Sequence, residues 1–111
     1  MSDHKNRIEL FCEINMFRVN NAKQKLGYSL TLEREAQNHA CFMYTNGSHK
    51  HADKETFTRS KCEIIAWDCD NCYTAFGWWI NRSDTHRKAI LGPFSKIGIG
   101  IKNDIYVVRF R

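Results

Sequence analysis

The chain has 111 residues and a mass of 13.1 kDa, about the size of one ordinary domain, and its single Pro and six Gly leave little material for linkers. With 42% hydrophobic residues it can bury a core, which excludes intrinsic disorder, and no apolar run approaches the roughly 18 residues that a membrane helix needs. The net charge of +5 favours acidic partners or anionic surfaces, but the cations form no run of five or six, so charge does not by itself make a nucleic-acid binder.

The opening Met-Ser-Asp-His-Lys-Asn-Arg lacks the unbroken apolar stretch of a secretion signal, so a cytoplasmic chain or a component of a viral particle is expected rather than a secreted one. From Ile8, apolar or small residues recur at Phe11, Cys12, Asn15, Val19, Ala22 and Leu26, a helical period that Gly27 is expected to end. A second helix is expected to start near Thr31 as N-cap, with Glu33 and Glu35 in the first turn, Leu32, Ala36, Ala40 and Met43 facing inward, and Asn46-Gly47 as the stop.

Residues Ser48 to Lys61 are polar and without period, which predicts a loop. Glu63 to Trp67 reads as a short buried strand, and Asp70 as the cap of a helix with Tyr73, Phe76, Trp79 and Ile80 on one face. Ser83 is positioned to cap a further short helix that stops at Leu91-Gly92-Pro93. Last, Ile97, Ile99 and Ile101 alternate with Gly98 and Gly100, Asn103-Asp104 supplies a turn, and Ile105 to Phe110 is β-branched and aromatic, which together predict an antiparallel hairpin. The glycines leave one strand face bare, so a helix or another backbone is expected to approach closely there. Helices, an early strand and a final hairpin make a layered α+β fold, read as one domain over residues 1–111.

Order along the chain adds a resemblance. Asn15-x-x-Arg18, Leu30-x-Leu32-x-x-x-Ala36-x-x-His39-Ala40-x-x-Met43, Glu63-Ile64-Ile65-Ala66, Trp79 and His86-Arg87-x-x-Ile90-Leu91-x-x-Phe94-x-x-Ile97-Gly98-Ile99-Gly100 occur in sequence. Together they resemble the CAP superfamily of SCP-like domains, the cysteine-rich secretory, antigen and pathogenesis-related proteins. The resemblance implies a three-layer α-β-α sandwich with a small antiparallel sheet. It also implies a metal-binding cleft at His51, Glu63 and His86. The pattern departs from the family where Ile64 replaces Asn, where Asp84-Thr85 replaces Pro-Gly, and where Ile80, Asn81 and Arg82 offer no second Glu.

Two imidazoles and a carboxylate suit zinc or a similar divalent ion with positions left open for water, and His49 is the substitute for His51. The plainer alternative is that Glu63 caps a helix or pairs with Arg59 or Lys61, and that His86 serves a capped turn. Five cysteines without an export signal point to reduced thiols or a metal site. Cys62, Cys69 and Cys72 with a His at position 49 or 51 have the chemistry of a structural zinc site, or are small buried hydrophobes.

His51-Ala52-Asp53 with Cys69-x-x-Cys72 is similar to a zinc deaminase signature, against which stand Asp in place of Glu and the missing Pro before Cys69. His39 reads as a packing residue. One of Trp78 and Trp79 must point outward, where it would mark a partner surface. The combined expectation is a small binding or interaction module for a protein or lipid ligand, in a larger assembly such as a viral or phage particle. The alternatives are a metal-dependent hydrolase with Glu63 as general base and His86 or His51 as acid, or the cysteine zinc domain.

Overall fold

The computed structural model describes residues 2–53 and 60–111. Along the chain run α1 (Asp3–Asn20), β1 (Gly27–Tyr28), α2 (Leu30–Asn46), β2 (Cys62–Ala66), α3 (Cys72–Arg82), α4 (Asp84–Ile90), β3 (Lys96–Lys102) and β4 (Ile105–Phe110). The strands form one sheet in the order β1-β3-β4-β2. The β3–β4 hairpin turns at Asn103, whose φ of 54° suits Asn, and β2 runs antiparallel to β4. β1 pairs with β3 in parallel, so the sheet is mixed rather than purely antiparallel.

Alternation along the strands sends their side chains to two different layers. Ile65, Ile105 and Val107 meet Ala36, Ala40 and Met43 of α2. On the opposite face Ile97, Ile99, Ile101, Tyr106, Val108 and Phe110 pack with Leu10, Ile14, Phe76, Trp79 and Ile90 of the other three helices. The sandwich is therefore α2, then the sheet, then α1, α3 and α4. The bare strand face is where α2 sits: a Cβ built on Gly98 would lie 2.5 Å from Leu32 Cβ and closer still to the backbone of Leu32 and Glu33. At Gly100 the backbone of Ala36 and Gln37 fills the same role.

Gln37 fixes α2 to the sheet, its carboxamide accepting from Ile101 N–H at 2.8 Å and donating to Ile101 C=O at 2.7 Å. Arg7 of α1 donates to the Gln37 carbonyl oxygen at 2.7 Å and to Ile99 C=O at 3.2 Å.

Several boundaries differ from expectation, each for a local reason. α1 stops at Asn20 because polar side chains on it hold the following segment outside the helix. Asn15 bonds both backbone groups of Leu26, at 2.7 and 3.0 Å, and Arg18 Nε donates to Gln24 C=O at 2.8 Å. Ser29, not Thr31, caps α2 by accepting from Leu32 N–H, while Gly47 closes it with φ 59° as expected. Asn71, not Asp70, caps α3 by accepting from Tyr73 and Thr74 N–H. On α3 the inward face is Cys72, Ala75, Phe76 and Trp79, and Tyr73 stands 45% exposed.

Candidate functional site

β2 and β4 place Glu63 opposite Arg109 in register. Both side chains share the α2 side of the sheet with Ile65 and Val107, so two charges lie on an otherwise apolar face. Arg109 is 2% exposed, and a cation so buried requires acceptors on every side. Its Nε donates to Glu63 Oε1 at 3.0 Å, and a terminal nitrogen donates to Glu35 Oε1 at 2.9 Å and to Ser60 Oγ at 3.4 Å. Ser60 Oγ in turn donates to Glu35 Oε1 at 3.1 Å. A planar guanidinium thus links carboxylates from α2 and β2, a geometry for which Arg is better shaped than Lys.

The other oxygen of Glu63 is also engaged. Oε2 accepts from the Ala52 backbone N–H and from His51 Nδ1, each at 3.0 Å. An ionised carboxylate only accepts, so His51 carries its proton on Nδ1 and turns Nε2 outward. The sequence places the third expected residue, His86, on α4, capped by Ser83. His86 Nδ1 lies 2.6 Å from Ser83 Oγ, and its ring meets the edge of Trp78 at 5.6 Å. Burial, and then the nearby His51 charge, lower its pKa below the ordinary value of 6.5.

The structure thus joins His51 to Glu63 directly and leaves His86 near His51 with its own hydroxyl partner. Among the described residues no group of three or more His, Cys, Asp or Glu side chains is arranged to hold a metal ion. Both oxygens of Glu63 accept hydrogen bonds, Oε1 from Arg109 and Oε2 from His51 and Ala52. Of the three expected residues, His51 meets Glu63 through Nδ1 and His86 meets Ser83 through Nδ1, which leaves the two imidazole Nε2 atoms.

The other sequence candidates have definite places. Glu63 pairs with Arg109 rather than with Lys61, and Arg59 lies outside the described residues. His49 stacks on Trp67, ring centroids 4.4 Å apart, away from the carboxylate centre. His39 is a satisfied packing residue as expected, its Nε2 2.8 Å from Lys50 O. All five cysteines are free thiols. Cys69 and Cys72 belong to the core on the far side of the sheet, with Cys62 packed against it. Desolvation raises all three thiol pKa values, that of Cys69 to about 11, which disfavours the thiolate. Of the tryptophans, Trp79 is fully buried with Nε1 donating to Ile65 C=O at 3.0 Å, and Trp78 is 50% exposed.

A cleft of about 590 Å³ adjoins the centre, between α2 and residues 48–53. Glu35, Asn38, His39, Phe42 and Asn46 of α2 form one wall, Ser48 to Asp53 apart from His49 form the other, and Arg109 reaches it from β4. Sequence reasoning missed Arg109 and the partnership of Glu35. The signal was present: Arg109 is the one charge inside Ile105–Phe110, two residues from Val107 on the same face.

A family model described as CAP, the cysteine-rich secretory protein family, matches residues 12–107. Among solved structures, an extracellular protein containing a SCP domain from Bacillus anthracis superposes with a TM-score of 0.87 at 22% identity, over 96% of this chain and 40% of that one. An outer surface protein from Borrelia burgdorferi gives 0.86 at 24% identity, over 99% of this chain and 94% of that one. A cysteine-rich secretory protein from Staphylococcus aureus gives 0.78 at 18%, over 96% and 38%. The chain therefore spans about two fifths of the Bacillus and Staphylococcus proteins and nearly the whole Borrelia one. No curated protein matches the sequence.

Proposed function

The chain belongs to the CAP, or cysteine-rich secretory protein, family, and we propose that within it this domain is a binding module whose 590 Å³ cleft takes a short segment of a partner protein. The observation that carries this reading is the wall of α2. Asn38, Phe42 and Asn46 follow one another a single helical turn apart on one face, and Phe42 is 55% exposed at the centre. An exposed ring beside the Asn38 amide supplies an apolar anchor flanked by a group that pairs with peptide N–H and C=O, while Asn46 Nδ2 donates to Phe42 C=O at 2.9 Å. Lys50 and Asp53 on the facing wall bring both signs of charge, which suits a polar peptide better than an acyl chain.

Glu63 accepts from Arg109, His51 and Ala52, an engagement within the fold that favours the binding reading over the hydrolase alternative. The test is selection of a random peptide library displayed on phage against the chain and its Phe42→Asp variant. Enrichment lost in the variant supports the reading. Absence of enrichment, or enrichment indifferent to Phe42→Asp, refutes it.

A second reading is favoured by one specific observation: Nδ1 of His51 faces Glu63 and Nδ1 of His86 faces Ser83. Partners that fix Nδ1 orient Nε2, as outer-shell groups do around metal-binding imidazoles. In that reading the two imidazoles would hold a divalent ion such as zinc, and Glu63 would orient His51 without touching the metal. Calorimetric titration with zinc chloride, repeated on His51→Ala with His86→Ala, decides it. Stoichiometric uptake lost in the double variant supports the site, and uptake unchanged by it excludes these ligands.

A further inference from the structure

We propose that a second cleft, where the α1–β1 turn, the α4–β3 loop and the outer ends of β2 and β4 meet, binds a phosphorylated small molecule through Lys23, Lys61 and Arg111. The cleft has a volume of about 720 Å³ and shares no lining residue with the first. Its lining holds four cations, Arg18, Lys23, Lys61 and Arg111, and no Asp or Glu. None of the four forms an ion pair among the described residues. Arg87 and Lys88 pair with Asp84, but among the described residues other exposed lysines form no ion pair either, so what marks this place is that four cations gather in one concavity lined by no acidic side chain.

Arg18 shows how the cleft is built. It is 2% exposed, and its guanidinium donates to the carbonyls of Gln24, Ile90 and Gly92, each at 2.8 Å. Those bonds tie the two rim loops together and satisfy the donors, but carbonyl dipoles do not cancel a unit charge. An uncompensated positive charge therefore lies under the floor, where the low dielectric extends its field into the concavity. Ala22, at φ 61°, turns the chain so that Lys23 joins the rim, and Phe94, stacked on Phe110 at 5.3 Å, supplies an apolar wall.

Lys23 and Lys61 are exposed point charges on flexible stems and Arg111 offers a planar fork, while the Ser95 hydroxyl donates to Arg111 C=O at 3.4 Å. That set matches the several oxygens and double charge of a phosphate group, whereas a single carboxylate would leave most of the charge unanswered. The concavity has the size of a small-molecule site, which favours a compact ligand. The phosphate could belong to a soluble metabolite or to a lipid headgroup.

Sodium pyrophosphate is the minimal probe, titrated calorimetrically at low salt. One saturable site is expected. Lys23→Gln with Lys61→Gln and Arg111→Gln should weaken it by about a hundredfold or more, at roughly tenfold per charge-assisted contact. The triple Lys5→Gln, Lys88→Gln and Lys102→Gln removes the same net charge elsewhere and should leave the affinity within about threefold. Circular dichroism verifies that both triples fold. Competition by phosphatidylcholine vesicles containing a phosphoinositide assigns the phosphate to a lipid, and its absence assigns it to a soluble compound. No saturable binding, or equal weakening by both triples, overturns the proposal.

Discussion

Gly98→Ala adds a single methyl group, yet it tests whether α2 rests directly on the sheet. Ordinary van der Waals contact begins near 3.4 Å, whereas the new carbon would lie 2.5 Å from Leu32 Cβ and closer to two backbone atoms. Because those atoms are helix backbone, no side-chain rotation relieves the clash, and α2 must retreat by about 1 Å. Overpacking of this kind costs about 1 to 3 kcal/mol. The retreat also strains the pair of bonds between Gln37 and Ile101, now 2.7 and 2.8 Å, each worth about 1 kcal/mol net. The expected loss is therefore about 2 to 5 kcal/mol, comparable with the cavity left by Ile99→Ala on the opposite face. Urea unfolding followed by tryptophan fluorescence measures both. A Gly98→Ala variant within about 0.5 kcal/mol of the parent, with Ile99→Ala severely destabilised, would mean that the sheet is covered on one side only.

Two further outcomes are expected. Arg109→Leu leaves the buried Glu63 and the partly buried Glu35 together without their shared cation and should cost about 3 to 5 kcal/mol, part of it recovered when Glu63→Gln is added; a loss below about 1 kcal/mol in thermal unfolding would show that the guanidinium is not what holds these acids. For His86, burial and then the neighbouring His51 charge lower the folded pKa, so below about 6.5 the unfolded chain binds more protons and stability falls as pH drops. The fall in Tm from about pH 7.5 to about pH 5 should be smaller in His86→Asn than in the parent, and an identical fall would refute the assignment.

The layers were legible in the sequence because they rest on alternation: Ile97, Ile99 and Ile101 against Gly98 and Gly100 specify both what fills one face and what must approach the other. Helix ends were less legible, since Asn15 and Arg18 stop α1 through bonds to Leu26 and Gln24 that no local pattern announces. β1 escaped for a similar reason, being two residues defined by pairing with β3 alone. At the site, the family resemblance led to His51 and Glu63, which do meet, but ligand spacing says nothing of competition for a carboxylate. Arg109 comes from the far end of the chain, 46 positions from Glu63, and only the β2–β4 register brings it there.

The Gln37 carboxamide has a consequence beyond anchoring. β1 accompanies only the first residues of β3, so among the described residues the remainder of that strand borders no other strand on its outer side. An open row of N–H and C=O groups is a template on which foreign strands add, and it is a common origin of aggregation. Here the open groups are answered by side chains. Gln37 presents an amide that bonds Ile101 as a neighbouring peptide unit would, Tyr28 OH accepts from Ile99 N–H, and Arg7 occupies Ile99 C=O. Three side chains from α1, β1 and α2 thus imitate a missing strand that has no free edge of its own, ending the sheet where a longer β1 would have invited it to grow.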